Sequence, residues 1–157
     1  MVMYLTASGL FEGTTKNWFV YISRSFSNLP EDLSYSDRTI FFIIYAVISM
    51  TFSPIGEEFF YRGLVHECFS KSWGDRWASI ADSSAFTLTH LAHFGIVYID
   101  GTWQLYFIPA LLWVLFLFTL SLLFYWFRKK SSSIWGAVIA HAGYNLAMTY
   151  MIFYYVL

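Results

Sequence analysis

Long apolar stretches alternate with short polar ones along most of this 157-residue chain. Residues 105–127 carry no charged side chain, and residues 134–157 contain one ionisable residue, His141. A helix needs roughly 20 mainly apolar residues to cross the hydrocarbon core of a bilayer. Both stretches therefore predict transmembrane helices.

Two earlier apolar stretches contain polar residues. Residues 39–56 are uncharged and include Pro54, and helical character continues beyond them, which predicts one long helix over about 39–70 that bends near the proline. Residues 77–99 predict another span. The whole pattern predicts an all-α, polytopic membrane helix bundle with about four transmembrane helices and a polar site in its core.

Basic residues mark two of the connections between these spans. They are Lys71 and Arg76 in one connection, and residues 128–130 in another. Because short cytoplasmic loops are enriched in Lys and Arg, both connections are predicted to be cytoplasmic. Residues 100–104 have no basic side chain and are predicted to form an outward-facing turn.

The first 38 residues contain no apolar run long enough to span a membrane. Residues 18–22 are apolar but too short, and no basic segment with a following apolar core indicates a signal peptide. Residues 1–38 are therefore predicted to be an N-terminal segment that is interfacial or partly ordered. A membrane domain is predicted over residues 39–157.

Composition agrees with a membrane protein and excludes several other classes. Hydrophobic residues make up 58% of the chain and charged residues only 12%, against about 25% in soluble domains. The net charge of -1, without a basic stripe, argues against a nucleic-acid partner. A single cysteine, Cys68, excludes an intramolecular disulfide, and we expect it to be a buried, small apolar residue.

A first polar cluster follows the proline helix. Glu58 and Arg62 are four residues apart, so they share a helix face and are predicted to form an ion pair. Glu57 points about 100° away from that pair and has no partner in the local sequence. An unpaired carboxyl group at this depth suits a general base or acid.

Two further clusters also pair residues four positions apart. Phe86 and His90 form one, and His141 and Asn145 form the other. An imidazole and a carboxamide on one helix face can both donate hydrogen bonds to a developing oxyanion. Hydrogen bonds that hold membrane helices together would explain either residue equally well.

Two other polar residues of the same helix are predicted to lie outside the site. His93 follows His90 by three residues, near the outward end of the helix, where an interfacial hydrogen bond explains it. Asp82 is explained by the positive N-terminal end of the helix dipole.

Together, the motifs Glu57-Glu58-xxx-Arg62, Phe86-xxx-His90 and a final His-xxx-Asn resemble the signature of the CPBP family of intramembrane glutamic proteases. That family includes CAAX prenyl endopeptidases of the Rce1 type and the bacterial Abi proteins. The resemblance covers about residues 39–150. Each motif alone is weakly specific, but three in this order at membrane depth are strongly specific.

The resemblance implies a role for each of four catalytic residues. Glu57 would be the general base that activates a water, and His90 would help to hold and polarise that water. His141 and Asn145 would donate hydrogen bonds to the tetrahedral oxyanion. No cofactor is implied by these roles.

The resemblance also implies supporting residues, a location and partners. Glu58 and Arg62 would support the site, and Phe86 would pack against the cavity wall. The substrate would be a membrane-embedded or membrane-tethered protein in the lipid bilayer, and an oligomer or helper subunit could complete the small catalytic core. We expect a multi-pass protein of the bacterial cytoplasmic membrane, with a processing or sorting role rather than prenyl-protein maturation.

The sequence also bears on metalloprotease and serine-protease chemistry. His66-Glu67 lacks the second histidine of an HExxH zinc site, and the sequence has no GxSxG nucleophile elbow. Glu57, His90 and His141 could still form a two-histidine, one-carboxylate set for a divalent metal.

Three functional alternatives stay open at the sequence level. The first is a non-catalytic membrane binding protein or bacteriocin-immunity protein, in which the polar clusters hold helices together or engage a partner. The second is a CAAX-type prenyl-protein endopeptidase. The third is an ion or proton carrier, which intramembrane Glu and His residues would also serve.

Overall fold

A computed structural model describes residues 1–26, 29–30 and 34–157 of the chain. Residues 27, 28 and 31–33 of the predicted N-terminal segment lie outside the described residues. The described part is 82% helical. Its α-helices are α1 (Val2–Phe11), α2 (Trp18–Ser23), α3 (Tyr35–Glu58), α4 (His66–Thr89), α5 (Phe107–Ser131) and α6 (Ile134–Tyr155).

Shorter elements join these helices. The bounds are Arg24–Phe26 and His90–Ala92 for two 3-10 turns, Phe59–Val65 for a π-helical segment, and Ile96–Ile99 (β1) and Thr102–Leu105 (β2) for two strands. The predicted all-α class is confirmed, with this two-stranded hairpin as a small addition.

Within the described residues, two helical segments are long and apolar enough to cross a membrane. They are Tyr35–Ala92, which joins α3 to α4 through the π-helical segment, and Phe107–Ser131, which is α5. The first segment breaks at Gly74, where φ is 75° and ψ is 162°. It therefore contains the predicted helix over 39–70 and most of the next predicted span.

The predicted span over 77–99 is wrong at its C-terminal end. Helix α4 ends at Thr89, and the apolar residues that follow form β1 of an antiparallel hairpin instead. Asp100 and Gly101 both have positive φ, which is the turn geometry that an Asp-Gly pair favours between two strands. The outward turn predicted over 100–104 is thus a hairpin turn followed by β2.

Helix α6 packs between α3 and α5 and carries the last motif. The turn before it is built as the sequence predicts: Ser132 ends α5 in the left-handed conformation, and Ser133 caps α6. The Ser133 hydroxyl accepts a hydrogen bond from the Trp135 backbone N–H at 3.3 Å. This tight turn places α5 and α6 antiparallel and adjacent.

The described part of the N-terminal segment packs into the core. Trp18 is fully buried, and its ring lies 6.0 Å from that of Phe94 and 6.1 Å from that of Trp113. Ala7 and Phe19 belong to the same buried cluster. The division into a segment at 1–38 and a domain at 39–157 stays a prediction.

The outer surfaces of the long helices are apolar. On α3, the side chains of Ile40, Ile43 and Val47 are exposed at positions that share a helix face. Such a face suits contact with lipid tails. Cys68 is exposed, so the expectation of a buried cysteine is wrong.

Candidate active site

The three sequence motifs meet at one cavity between the helices. Its volume is about 470 Å³, and its wall includes all four residues that the sequence predicts to be catalytic: Glu57, His90, His141 and Asn145. Phe86 also lines it. The structure therefore brings these residues together, while their catalytic roles stay predictions.

Glu57 lies in the last turn of α3 and its side chain is 25% exposed. The Ser53 hydroxyl, one turn earlier, donates a hydrogen bond to Oε1, so the prediction that Glu57 has no local partner is wrong. Its other oxygen, Oε2, lies 3.5 Å from His90 Nε2 and accepts no hydrogen bond from the described residues. This oxygen is the one available to accept a proton.

His90 begins the 3-10 turn that ends the α4 segment. Its Nδ1 lies 2.7 Å from the Phe86 carbonyl oxygen, and because a carbonyl only accepts, Nδ1 carries the hydrogen. The other ring nitrogen, Nε2, faces Glu57. The His90 backbone carbonyl accepts a hydrogen bond from Trp113 Nε1 at 3.1 Å, which ties the turn to α5.

His141 is buried in α6 and is held from two sides. Its Nδ1 lies 2.8 Å from Glu58 Oε1, and its ring stacks on Phe124 at a centroid distance of 4.7 Å. A carboxylate only accepts, so Nδ1 donates to it. Nε2 is then the nitrogen available to a substrate, and it donates a hydrogen bond there when it too carries a hydrogen.

Asn145 lies one turn after His141 on α6. Its Nδ2 donates a hydrogen bond to the Ser49 backbone carbonyl of α3 at 2.8 Å. An amide nitrogen has two hydrogens, so this contact fixes the group and leaves one N–H for a substrate. The contact also holds α6 against α3 beside Glu57.

The predicted ion pair between Glu58 and Arg62 is present and fully buried. Arg62 Nη1 donates to Glu58 Oε1 at 3.2 Å, and Arg62 Nε approaches Oε2 at 3.2 Å without hydrogen-bond alignment. Arg62 Nη2 donates to the Ser121 backbone carbonyl at 3.0 Å and to the Ser121 hydroxyl. The pair therefore links the π-helical segment to α5.

Phe86 lines the cavity as predicted and also contacts three residues of the site. Its ring stacks on His90 at 4.2 Å, meets the His141 ring edge to face at 5.7 Å, and lies 4.6 Å from the Arg62 guanidinium carbon. A cation over an aromatic face is attracted by the ring quadrupole. Phe86 thus separates the two histidines and fixes their spacing.

Three acidic or basic residues near the site were missed or misplaced from the sequence. Asp82 is fully buried and lies 3.9 Å from Arg62 Nε, so its assignment to a helix N-terminus is wrong. It accepts a hydrogen bond from His66 Nδ1 at 2.6 Å. The ring of His93 lines the cavity 5.0 Å from that of His90, so placing it outside was also wrong.

The geometry bears on the metal alternative. Among the described residues, no group of three or more His, Cys, Asp or Glu side chains is arranged to hold a metal ion. In the suggested set of Glu57, His90 and His141, each histidine already uses Nδ1 for a protein acceptor.

Comparison with known proteins gives one match. The model of a family described as "Type II CAAX prenyl endopeptidase Rce1-like" matches residues 39–147, which is more than half of the chain and contains all three motifs. Searches of curated proteins and of solved structures gave no match.

Proposed function

Because the chain belongs to the Rce1-like family of type II CAAX prenyl endopeptidases, a family of membrane proteases, we propose that it is an intramembrane endopeptidase that uses a water activated by Glu57. The observation that carries this proposal is the approach of Glu57 to His90 at the wall of the shared cavity. A carboxylate and a neutral imidazole nitrogen both accept hydrogen bonds, so a water beside the pair, on the cavity side, can donate to both.

The first chemical step follows from this arrangement. Glu57 Oε2 removes a proton from the water as its oxygen attacks the scissile carbonyl carbon. His90 Nε2 orients the water, because Nδ1 is committed to the Phe86 carbonyl. The carbonyl oxygen becomes an oxyanion in a tetrahedral intermediate.

Two side chains of α6 stabilise that oxyanion. His141 Nε2 donates as an imidazolium, and Asn145 donates the N–H that is not bound to Ser49. The C–N bond then breaks, and the proton held by Glu57 passes to the leaving amine. The products are a carboxylic acid and an amine, and Glu57 returns to its ionised form.

The location of the cavity limits the class of substrate. An intramembrane cavity receives peptide segments that lie in or on the bilayer, so we propose a membrane-associated or exported protein of a bacterium as substrate, with the chain as a multi-pass protein of the cytoplasmic membrane. The family description names CAAX prenyl substrates, which favours a prenylated C-terminus as the second candidate.

A comparison of protein termini tests the activity and identifies the substrate together. Membrane and exported proteins would be compared between cells with the unsubstituted chain and cells with Glu57→Gln, with Glu67→Gln as the matched control because Glu67 is exposed on α4. We expect specific new termini to disappear in Glu57→Gln alone. Identical termini in all three strains would contradict the proposal and favour a non-catalytic binding or immunity protein.

A further inference from the structure

A buried histidine outside the catalytic cavity holds two carboxylates. His66 Nδ1 lies 2.6 Å from Asp82 Oδ2, and His66 Nε2 lies 3.0 Å from Asp75 Oδ1. When both carboxyl groups are ionised they only accept hydrogen bonds, and both ring nitrogens then carry hydrogens. In that state His66 is an imidazolium cation, although its side chain is only 4% exposed.

That cation balances a buried charge. Glu58, Asp82 and Arg62 are all fully buried. Glu58 is held by Arg62 and by His141, whereas the close basic partner of Asp82 is His66. Arg62 approaches Glu58 at 3.2 Å but stays 3.9 Å from Asp82. An unpaired charge at this depth is costly, and His66 supplies the positive partner that Asp82 requires.

The same network reaches the catalytic cavity through Glu58. Its Oε1 accepts from Arg62 Nη1 at 3.2 Å and from His141 Nδ1 at 2.8 Å. A movement of Arg62 toward Asp82 would weaken its hold on Glu58, and Glu58 holds the His141 ring. The contacts thus run in series from His66 to the oxyanion side of the cavity.

We propose that His66 is a positioning residue of the catalytic site: as the cation beside Asp82 it satisfies that carboxylate, leaves Arg62 to Glu58, and so fixes the His141 ring. The role of His141 as an oxyanion donor rests on the proposed function. The charge balance rests on the contacts alone.

Enzyme kinetics test whether activity lost with the His66 charge returns when the Asp82 charge is removed as well. The purified full chain in proteoliposomes would cleave the membrane protein whose terminus depends on Glu57, with a farnesylated CAAX peptide as a second substrate. In His66→Gln we expect kcat to fall about 10- to 100-fold, the range typical when a residue that orients a ligand of a functional site is removed. KM should stay nearly unchanged, because His66 does not line the cavity.

The double variant His66→Gln with Asp82→Asn removes one positive and one negative charge. We expect it to recover most of the lost kcat, whereas a role of His66 in packing alone predicts no recovery. Glu67→Gln is the matched control, because Glu67 is exposed on α4 and its charge is not part of the buried network. We expect that control to keep nearly full activity.

Ring nitrogen NMR of ¹⁵N-histidine-labelled protein gives a readout independent of cleavage. The chain has four histidines, and His141 is identified by the signal that His141→Gln removes. We expect two protonated ring nitrogens at His66, a shift of the His141 signals in His66→Gln, and their return in the double variant. If His66→Gln fails to accumulate, recovery of accumulation and of the His141 signals in the double variant supports the inference.

Unchanged His141 signals and unchanged kcat in His66→Gln would overturn the inference, and so would a double variant that recovers neither. Absence of cleavage by the unsubstituted chain would instead contradict the proposed function. The His141 signals would still decide the charge balance in that case.

Discussion

Glu57 and Glu58 are adjacent in the sequence but have different surroundings. Glu57 lines the cavity and leaves one oxygen without a hydrogen-bond donor among the described residues, whereas Glu58 is fully buried between Arg62 and His141. A carboxylate with a free oxygen can take a proton from water. A carboxylate that holds two partners stabilises structure.

This difference predicts that replacing Glu by Gln lowers the stability of the protein at position 58 but not at position 57. Glu58→Gln leaves the Arg62 charge without its main partner, so the free energy of unfolding should fall by about 3–5 kcal/mol, as when one member of a buried ion pair is removed. Denaturant unfolding of the purified protein in detergent would measure it. Glu57→Gln is the control and should unfold nearly as the unsubstituted chain does. Equal destabilisation by both would contradict the separate roles.

Asn145→Ala should mainly affect the chemical step. The substitution removes the N–H proposed to bind the oxyanion, and loss of one such donor typically lowers kcat by about 100- to 1,000-fold. Steady-state kinetics in proteoliposomes would measure this. Thr149→Ala is the control, because Thr149 lies one turn later on the same cavity wall and contacts the Ser49 hydroxyl at 3.3 Å. A similar loss in both variants would show a general effect of cavity packing.

Among the elements, contacts within one helix could be predicted from the sequence and contacts between helices could not. The Glu58 and Arg62 pair follows from their spacing of four residues. The contact of His141 with Glu58 joins residues 83 positions apart and depends on how α6 packs on α3. The link from His66 to Asp82 likewise requires the fold around the Gly74 break.

The hairpin shows a second limit of the sequence pattern. Residues 94–99 are apolar and continue the preceding helix pattern, so periodicity alone extended the span through them. The helix has already ended at Thr89, Gly95 adopts a φ of 116° in the turn before β1, and the strand residues pair with β2. The Asp-Gly turn was the local signal that could have identified the hairpin.

Two glycines of α6 should respond differently to alanine. A Cβ at Gly136 would lie 2.6 Å from the Phe127 carbonyl oxygen, so Gly136→Ala should separate α5 from α6 and lower the thermal stability of the purified protein. A Cβ at Gly143 would meet no atom of a neighbouring element within 4 Å, so Gly143→Ala should be neutral or stabilise by about 0.5–1 kcal/mol. Equal melting temperatures for the two variants would contradict this packing of the turn.

For the whole molecule, the basic residues predict its orientation in the membrane. Residues 128–130 and the Gly74 bend should face the cytoplasm, and the hairpin should face outward. In a Cys68→Ala background, Ser132→Cys should react with a membrane-impermeant thiol reagent only after the cells are opened. Thr102→Cys should react in intact cells. The reverse pattern would contradict the orientation.

The central claim is that Glu57 activates the water that cleaves a peptide bond. Single-turnover cleavage of the Glu57-dependent substrate in proteoliposomes tests it most directly, with the unsubstituted chain, Glu57→Gln and the Glu67→Gln control compared at equal amounts of folded protein. We predict a rate about 100- to 10,000-fold lower in Glu57→Gln, which is the contribution of a general base, and an unchanged rate in the control. A Glu57→Gln rate within about twofold of the unsubstituted rate would contradict the claim.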